Sequence, residues 1–151
     1  HNVYGPDMGH EHVIPQFALR MKECFERQPN GIVDFPIQGS GEETRAFIYI
    51  DDFTRALVRV IEAGEHMNIY HIGTDCEVSV GELARIVARC SGRGIRIVPG
   101  DLLKGSTARR CPDIHKLKRL GFEPTVSLEE GVRRTVEWYH AAKPNSTPRP
   151  T

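Results

Sequence analysis

Two glycines, a short apolar run and a doubled aspartate follow one another in Gly39-Ser40-Gly41-Glu42-Glu43-Thr44-Arg45-Ala46-Phe47-Ile48-Tyr49-Ile50-Asp51-Asp52. Glycine reaches φ > 0 at no steric cost, so the pair predicts a tight turn. Ala46 to Ile50 is rich in β-branched and aromatic residues and predicts a strand. Asp51 or Asp52 is suited to cap a helix that starts at once. Arg45 stands where turn meets strand. A guanidinium there is either a solvated hairpin cation or a fork for a phosphate.

The same alternation runs along the chain. Ile14, Phe17, Ala18, Met21 and Phe25 repeat at helical spacing, with Pro15 in the first turn and Gln28-Pro29-Asn30-Gly31 as the stop. Ile32 to Gln38 predicts a strand, at an edge because of Pro36. A helix is expected over Asp52 to Ala63, burying Phe53, Ala56, Leu57, Val60 and Ile61 and ending at Gly64. Asn68 to Gly73 predicts a strand. Ser79-Val80-Gly81-Glu82 is a capping box opening a helix that buries Leu83, Ile86, Val87 and Cys90. Ile95 to Pro99 predicts a strand, and Gly100 to Cys111 a polar loop. Asp113 is placed to cap a short helix with Ile114, Leu117 and Leu120 inward. Ser127-Leu128-Glu129-Glu130 is a second capping box, opening a helix with Leu128, Val132, Val136 and Tyr139 in line. The loop Asn2 to His12 precedes all of these, and residues 143–151 read as a disordered tail. About five helices alternate with four short strands, which predicts an α/β fold.

Composition narrows the function. Twenty basic residues balance twenty acidic ones, so no charge excess points to nucleic acid or an anionic membrane. No apolar run approaches a membrane span. Cys24, Cys76, Cys90 and Cys111 are scattered, which fits free thiols in a reducing, cytoplasmic setting. His10 and His12 are spaced wrongly for a helical metal pair, and no metal is expected. Tyr139 and Lys143 share the spacing of a dehydrogenase tyrosine–lysine pair, but Tyr139 continues an apolar stripe and reads as core. Gly100 to Thr107 lacks the lysine of a phosphate loop. Gly39-Ser40-Gly41 lacks a third glycine and leads into a strand, unlike a dinucleotide fingerprint. No nucleophile–base pair stands out, so no catalytic residue is assigned.

The motifs in order are Asn2-Val3-Tyr4-Gly5-Pro6, Val13-Ile14-Pro15, Gly39-Ser40-Gly41 with Thr44-Arg45-Ala46-Phe47, Tyr70-His71-Ile72-Gly73, Arg110-Cys111-Pro112-Asp113, Leu120-Gly121-Phe122-Glu123-Pro124 and Leu128-Glu129-Glu130-Gly131. Together they resemble the C-terminal, substrate-binding half of the extended short-chain dehydrogenase/reductases that act on nucleotide sugars: epimerases, 4,6-dehydratases and decarboxylases. The resemblance covers residues 1 to about 140 and assigns 1–142 to a nucleotide-sugar-binding portion.

The resemblance implies a Rossmann-type fold with most of its parallel sheet absent from this chain. It implies NAD as cofactor, held mainly by an N-terminal Rossmann half that also carries the catalytic groups, and a homodimer when intact. The opening at His1, with no initiator methionine, reads as the middle of something longer. The substrate would be a UDP-, dTDP-, CDP- or GDP-sugar, oxidised at C4. The resemblance places Asn2 at the diphosphate or sugar and the His1 backbone near the nicotinamide. His12 and Val13 would run along the nucleotide. Arg45 would grip the diphosphate, Arg110 and Asp113 would serve phosphate and ribose, and Pro36, Gln38 and Val80 would border the base. Arg45 and Arg110 are expected to close on the diphosphate from opposite sides. Gln38 departs from the family's usual aromatic residue: it cannot stack as a ring does, but it can hydrogen-bond a base edge. The alternatives are a non-catalytic nucleotide-binding module and a partner-binding chain with an exposed sheet edge.

Overall fold

The computed structural model describes residues 2–102 and 105–141. Five helices and seven short strands make an α/β arrangement among these residues. In chain order they are β1 (Val3–Tyr4), α1 (Val13–Arg27), β2 (Val33–Pro36), β3 (Thr44–Ala46), β4 (Ile48–Tyr49), α2 (Ile50–Ala63), β5 (Glu77–Ser79), α3 (Val80–Cys90), β6 (Ile95–Val98), β7 (Arg109–Arg110), α4 (His115–Arg119) and α5 (Leu128–Ala141). The proposed tail, residues 143–151, and Lys143 with it, lie outside the described residues.

The strands form three small sheets. β1 pairs with β4 and β2 with β6, both parallel. β3 lies between β5, antiparallel to it, and β7, parallel to it. α1, α3 and α5 pack on one another, because each carries an apolar stripe at helical spacing. Ile14, Phe17, Ala18 and Met21 meet Leu83, Val87, Val132 and Val136 in the main core. A smaller cluster of Ile48, Ala56, Ile114, Leu117 and Phe122 holds α2 and α4 to β4.

Both predicted capping boxes begin their helices as expected: the Ser79 hydroxyl accepts from Glu82 N at 3.1 Å, and Ser127 from Glu130 N at 3.2 Å. Two close approaches favour glycine. A Cβ on Gly131 would lie 2.2 Å from the Tyr4 hydroxyl, and one on Gly81 would lie 3.1 Å from the Gly41 carbonyl. The first lets α5 reach β1, and the second seats α3 against the glycine turn.

Several expectations are corrected. Neither Asp51 nor Asp52 caps α2; Tyr49 is the N-cap, and the helix starts at Ile50. Asp52 is instead buried and joins two distant segments. Its carboxylate accepts from Thr125 N, Val126 N and the Thr125 hydroxyl, each at 2.9 Å, and from Arg55 Nη1 at 2.8 Å. The face assigned to α2 is also only partly right. Ala56 is buried, but Leu57 is 42% exposed and Ile61 75%, because α2 presents Ala56 inward and turns a second apolar stripe outward. Asn68 to Gly73 forms no strand, since none of the described strands runs beside it to complete a ladder. Ala46–Ile50 is broken at Phe47, so β3 and β4 serve different sheets. Arg109–Arg110, read as loop, pairs with β3 as β7, and Val3–Tyr4, also read as loop, forms β1.

Candidate functional site

The β5–β3–β7 sheet has two faces of opposite electrical character. Alternate residues of a strand point to opposite faces, and residues in register share one. Thr44 is in register with Arg109, and Ala46 with Glu77. On this face the charges are spent. Arg109 Nε donates to both Glu77 oxygens at 3.0 Å, and the Thr44 hydroxyl donates to Glu77 Oε2 at 2.7 Å. The Arg109 contact holds the Glu77 carboxyl below the usual carboxylate range.

On the other face Arg45 is in register with Val78 on one side and Arg110 on the other. The two arginines therefore stand side by side on adjacent strands rather than closing from opposite sides. Arg45 donates to the carbonyls of Thr44 (2.7 Å) and Thr107 (2.8 Å), which fix its guanidinium without neutralising it. Arg110 makes no side-chain hydrogen bond or ion pair with the described residues. Neither has a carboxylate within ion-pairing range among them. A face with two adjacent cations, one of them held by carbonyls, and no ion-paired carboxylate suits an anion.

The glycine turn does not supply that anion site. Glu43 fills it, accepting from Ser40 N at 3.1 Å and Gly41 N at 2.9 Å. Its own backbone N–H, with those of Ser40 and Gly41, holds the Glu43 carboxyl below its ordinary value. At this corner Arg45, rather than the turn N–H groups, is the donor left without a carboxylate partner among the described residues.

Arg45 borders a cavity of about 240 Å³. Asn2, Val13, Gln38, Arg45 and Val80 all line it. Asn2 takes a left-handed backbone, φ 38°, which asparagine tolerates. Its amide donates to Ala46 O at 2.8 Å, tying β1 to β3. His12, the N-cap of α1, lines an adjoining cavity of about 190 Å³ that shares Asn2, Val13 and Phe47 with the first.

The other expected residues sit elsewhere. Pro36, in register with Val98, accepts from Arg20 Nη2 at its carbonyl and lines neither cavity. Arg110 lines neither cavity, though it adjoins Arg45 on the sheet. Asp113 is occupied at the start of α4, where Oδ1 accepts from His115 N at 2.8 Å and contacts His115 Nδ1 at 2.7 Å. The His115 backbone N–H lowers its carboxyl. His1 lies outside the described residues.

Sequence reasoning missed Glu11 and Gln16, which line the first cavity. Gln16 carried one faint signal, a polar pair with Arg20 at i and i+4 beside the apolar stripe of α1. Phe47 was quoted only as part of a motif, yet it lines both cavities and a third of about 530 Å³ bordered by Thr74, Glu77, Lys118 and Thr125. No group of three His, Cys, Asp or Glu able to hold a metal occurs among the described residues. No helix there is long and apolar enough to cross a membrane.

Comparison with known proteins bears on this site. The sequence model of the NAD dependent epimerase/dehydratase family matches residues 1–73. GDP-L-fucose synthase 1 of Arabidopsis thaliana is 32% identical over 142 residues, 91% of this chain and 43% of its own. UDP-glucose 4-epimerase from Thermotoga maritima, solved with UDP-glucose, superposes with a TM-score of 0.77 at 34% identity, over 92% of this chain and 43% of that one. The dTDP-glucose 4,6-dehydratase of Streptomyces venezuelae, solved with NAD bound, gives 0.76 at 32% identity, over 92% and 41%. The chain thus spans less than half the length of each. In sequence and in fold the chain is therefore similar to part of the NAD-dependent nucleotide-sugar epimerases and dehydratases.

Proposed function

We propose that this chain holds the nucleoside diphosphate of a nucleotide sugar, as the C-terminal, substrate-binding portion (residues 1–142) of an NAD-dependent epimerase, dehydratase or decarboxylase. The observation that carries the reading is the uncompensated pair Arg45 and Arg110 on one face of the β5–β3–β7 sheet, beside the cavity that Asn2, Val13, Gln38 and Val80 share. Arg45 takes the diphosphate, with Arg110 next to it. Asn2 borders the sugar side, and His12 extends the site into the adjoining cavity. Binding energy from this handle positions the sugar for oxidation at C4 by NAD.

The residues present do not fit NAD itself. Among the described residues no strand-to-helix turn carries the three-glycine fingerprint: β4 enters α2 through Tyr49–Ile50, and β5 enters α3 through Ser79–Val80. NAD belongs to a dinucleotide-binding half, the expected partner. The unpaired edge of β1, the unladdered Asn68–Gly73 and the outward stripe of α2 support such a partner.

The test is calorimetric titration of UDP, dTDP, CDP and GDP into the chain. At least one is expected to bind saturably. Arg45→Ala should weaken that binding about 10- to 150-fold, the equivalent of a charge-assisted bond of ~1.5–3 kcal/mol. Unchanged affinity in Arg45→Ala would remove the role assigned to it.

A further inference from the structure

A single residue, Phe47, separates β3 from β4, yet the two strands belong to different sheets. The ladder of β3 on β7 stops at Ala46 for a reason written in the sequence. Continued in the same parallel register, the next donor to the Ala46 carbonyl would be residue 112, a proline with no N–H. The Phe47 carbonyl falls between the two sheets. Both residues are buried, and a buried carbonyl without a donor is costly.

Two side chains from distant parts of the chain supply the donors. Asn2 Nδ2 donates to Ala46 O at 2.8 Å, and the buried Thr74 hydroxyl donates to Phe47 O at 3.2 Å. Ile48 N then donates to Asn2 O at 3.3 Å, where β4 takes up its pairing with β1. Arg45 is the residue immediately before this clamp. The carbonyls of Thr44 and Thr107 hold the head of its side chain, whereas the clamp holds the backbone from which that side chain springs. Asn2 lines the cavity beside Arg45. Thr74 lines neither that cavity nor the one adjoining it, and borders the third hollow behind Phe47.

Resting on the diphosphate reading above, we infer that Thr74 is a positioning residue for Arg45: its hydroxyl fixes the break between β3 and β4, and through that break the direction of the guanidinium that meets the diphosphate. A charge-assisted hydrogen bond depends steeply on distance and angle, so a cation on a loosened backbone contributes less than one held in place.

A double-mutant cycle read by calorimetry tests this, using whichever of UDP, dTDP, CDP and GDP binds the unaltered chain most tightly. Thr74→Val keeps the shape of the side chain and removes the donor. It is expected to weaken binding about three- to tenfold, the equivalent of one neutral hydrogen bond. Thr74→Ser, which restores the hydroxyl, should stay within about twofold of the unaltered chain. In an Arg45→Ala background Thr74→Val should change affinity by less than about twofold, because the group it positions is gone. Thr74→Ala carries the same expectations and replaces the valine variant if that one does not fold. Unchanged affinity on loss of the hydroxyl overturns the inference, as does an equal loss with and without Arg45, and both leave the diphosphate reading intact. Failure of all four nucleotides to bind, or unchanged affinity in Arg45→Ala alone, overturns both.

Discussion

Asp52 is buried and carries four side-chain hydrogen bonds. Two backbone N–H groups, a hydroxyl and a guanidinium converge on one carboxylate, although the segments that supply them are about seventy residues apart. Replacing it by alanine takes the acceptor from two part-buried N–H groups, those of Thr125 and Val126, and leaves the Arg55 guanidinium without its partner. Asp52→Ala is expected to lower unfolding free energy by ~3 kcal/mol, measured by urea denaturation. Asp52→Asn keeps one acceptor and should cost less. Nothing in the local sequence announced this role. Doubled aspartate before a helix predicts a cap, and only the fold shows that its third residue faces Thr125 rather than the free N–H groups of its own first turn. Gln16 was hidden for the same reason: Gln38, which lines the same cavity, is 22 positions away, and no spacing rule joins them.

Elements with a local cause were legible, and those that depend on a neighbour were not. α1, α3 and α5 followed from apolar spacing and from serine caps, which act within one or two turns. The ladder of β7 on β3 requires a strand 65 residues upstream, and two consecutive arginines give no hint of it. Asn68–Gly73 has the composition of a strand, but composition cannot supply the pairing partner. α2 shows how periodicity misleads when two stripes coexist: the spacing was helical, but Leu57 and Ile61 point outward. Ile61→Ser is therefore expected to change stability by no more than ~0.5 kcal/mol. Leu117→Ala, in the cluster under α2 and α4, should cost ~2–5 kcal/mol in the same denaturation experiment.

For the molecule as a whole, acidic and basic residues balance in number, but the carboxylates are organised to stay ionised. Arg133 and Arg134 draw the Glu130 carboxyl down to about 2. Arg96 lowers Asp34, Lys118 lowers Asp75, and Arg109 lowers Glu77. A carboxyl with a depressed folded-state pKa contributes stability that is present above its unfolded value and lost as pH falls through the folded one. Thermal stability is thus expected to decline from about pH 4.5 towards pH 2. Glu130→Gln should flatten the lower part of that decline. On the alkaline side, burial raises Tyr4 and Tyr139, so their contribution is complete below about pH 10 and falls above it. Thermal midpoints across the pH range would show both limbs; a flat acid limb would contradict the ion-pair account.

Phe47 sits where β3 gives way to β4, with its carbonyl held by the Thr74 hydroxyl at 3.2 Å, and it borders all three hollows. One flat side chain thus serves as a party wall. Trimming that side chain would therefore open all three hollows at once rather than enlarge one of them.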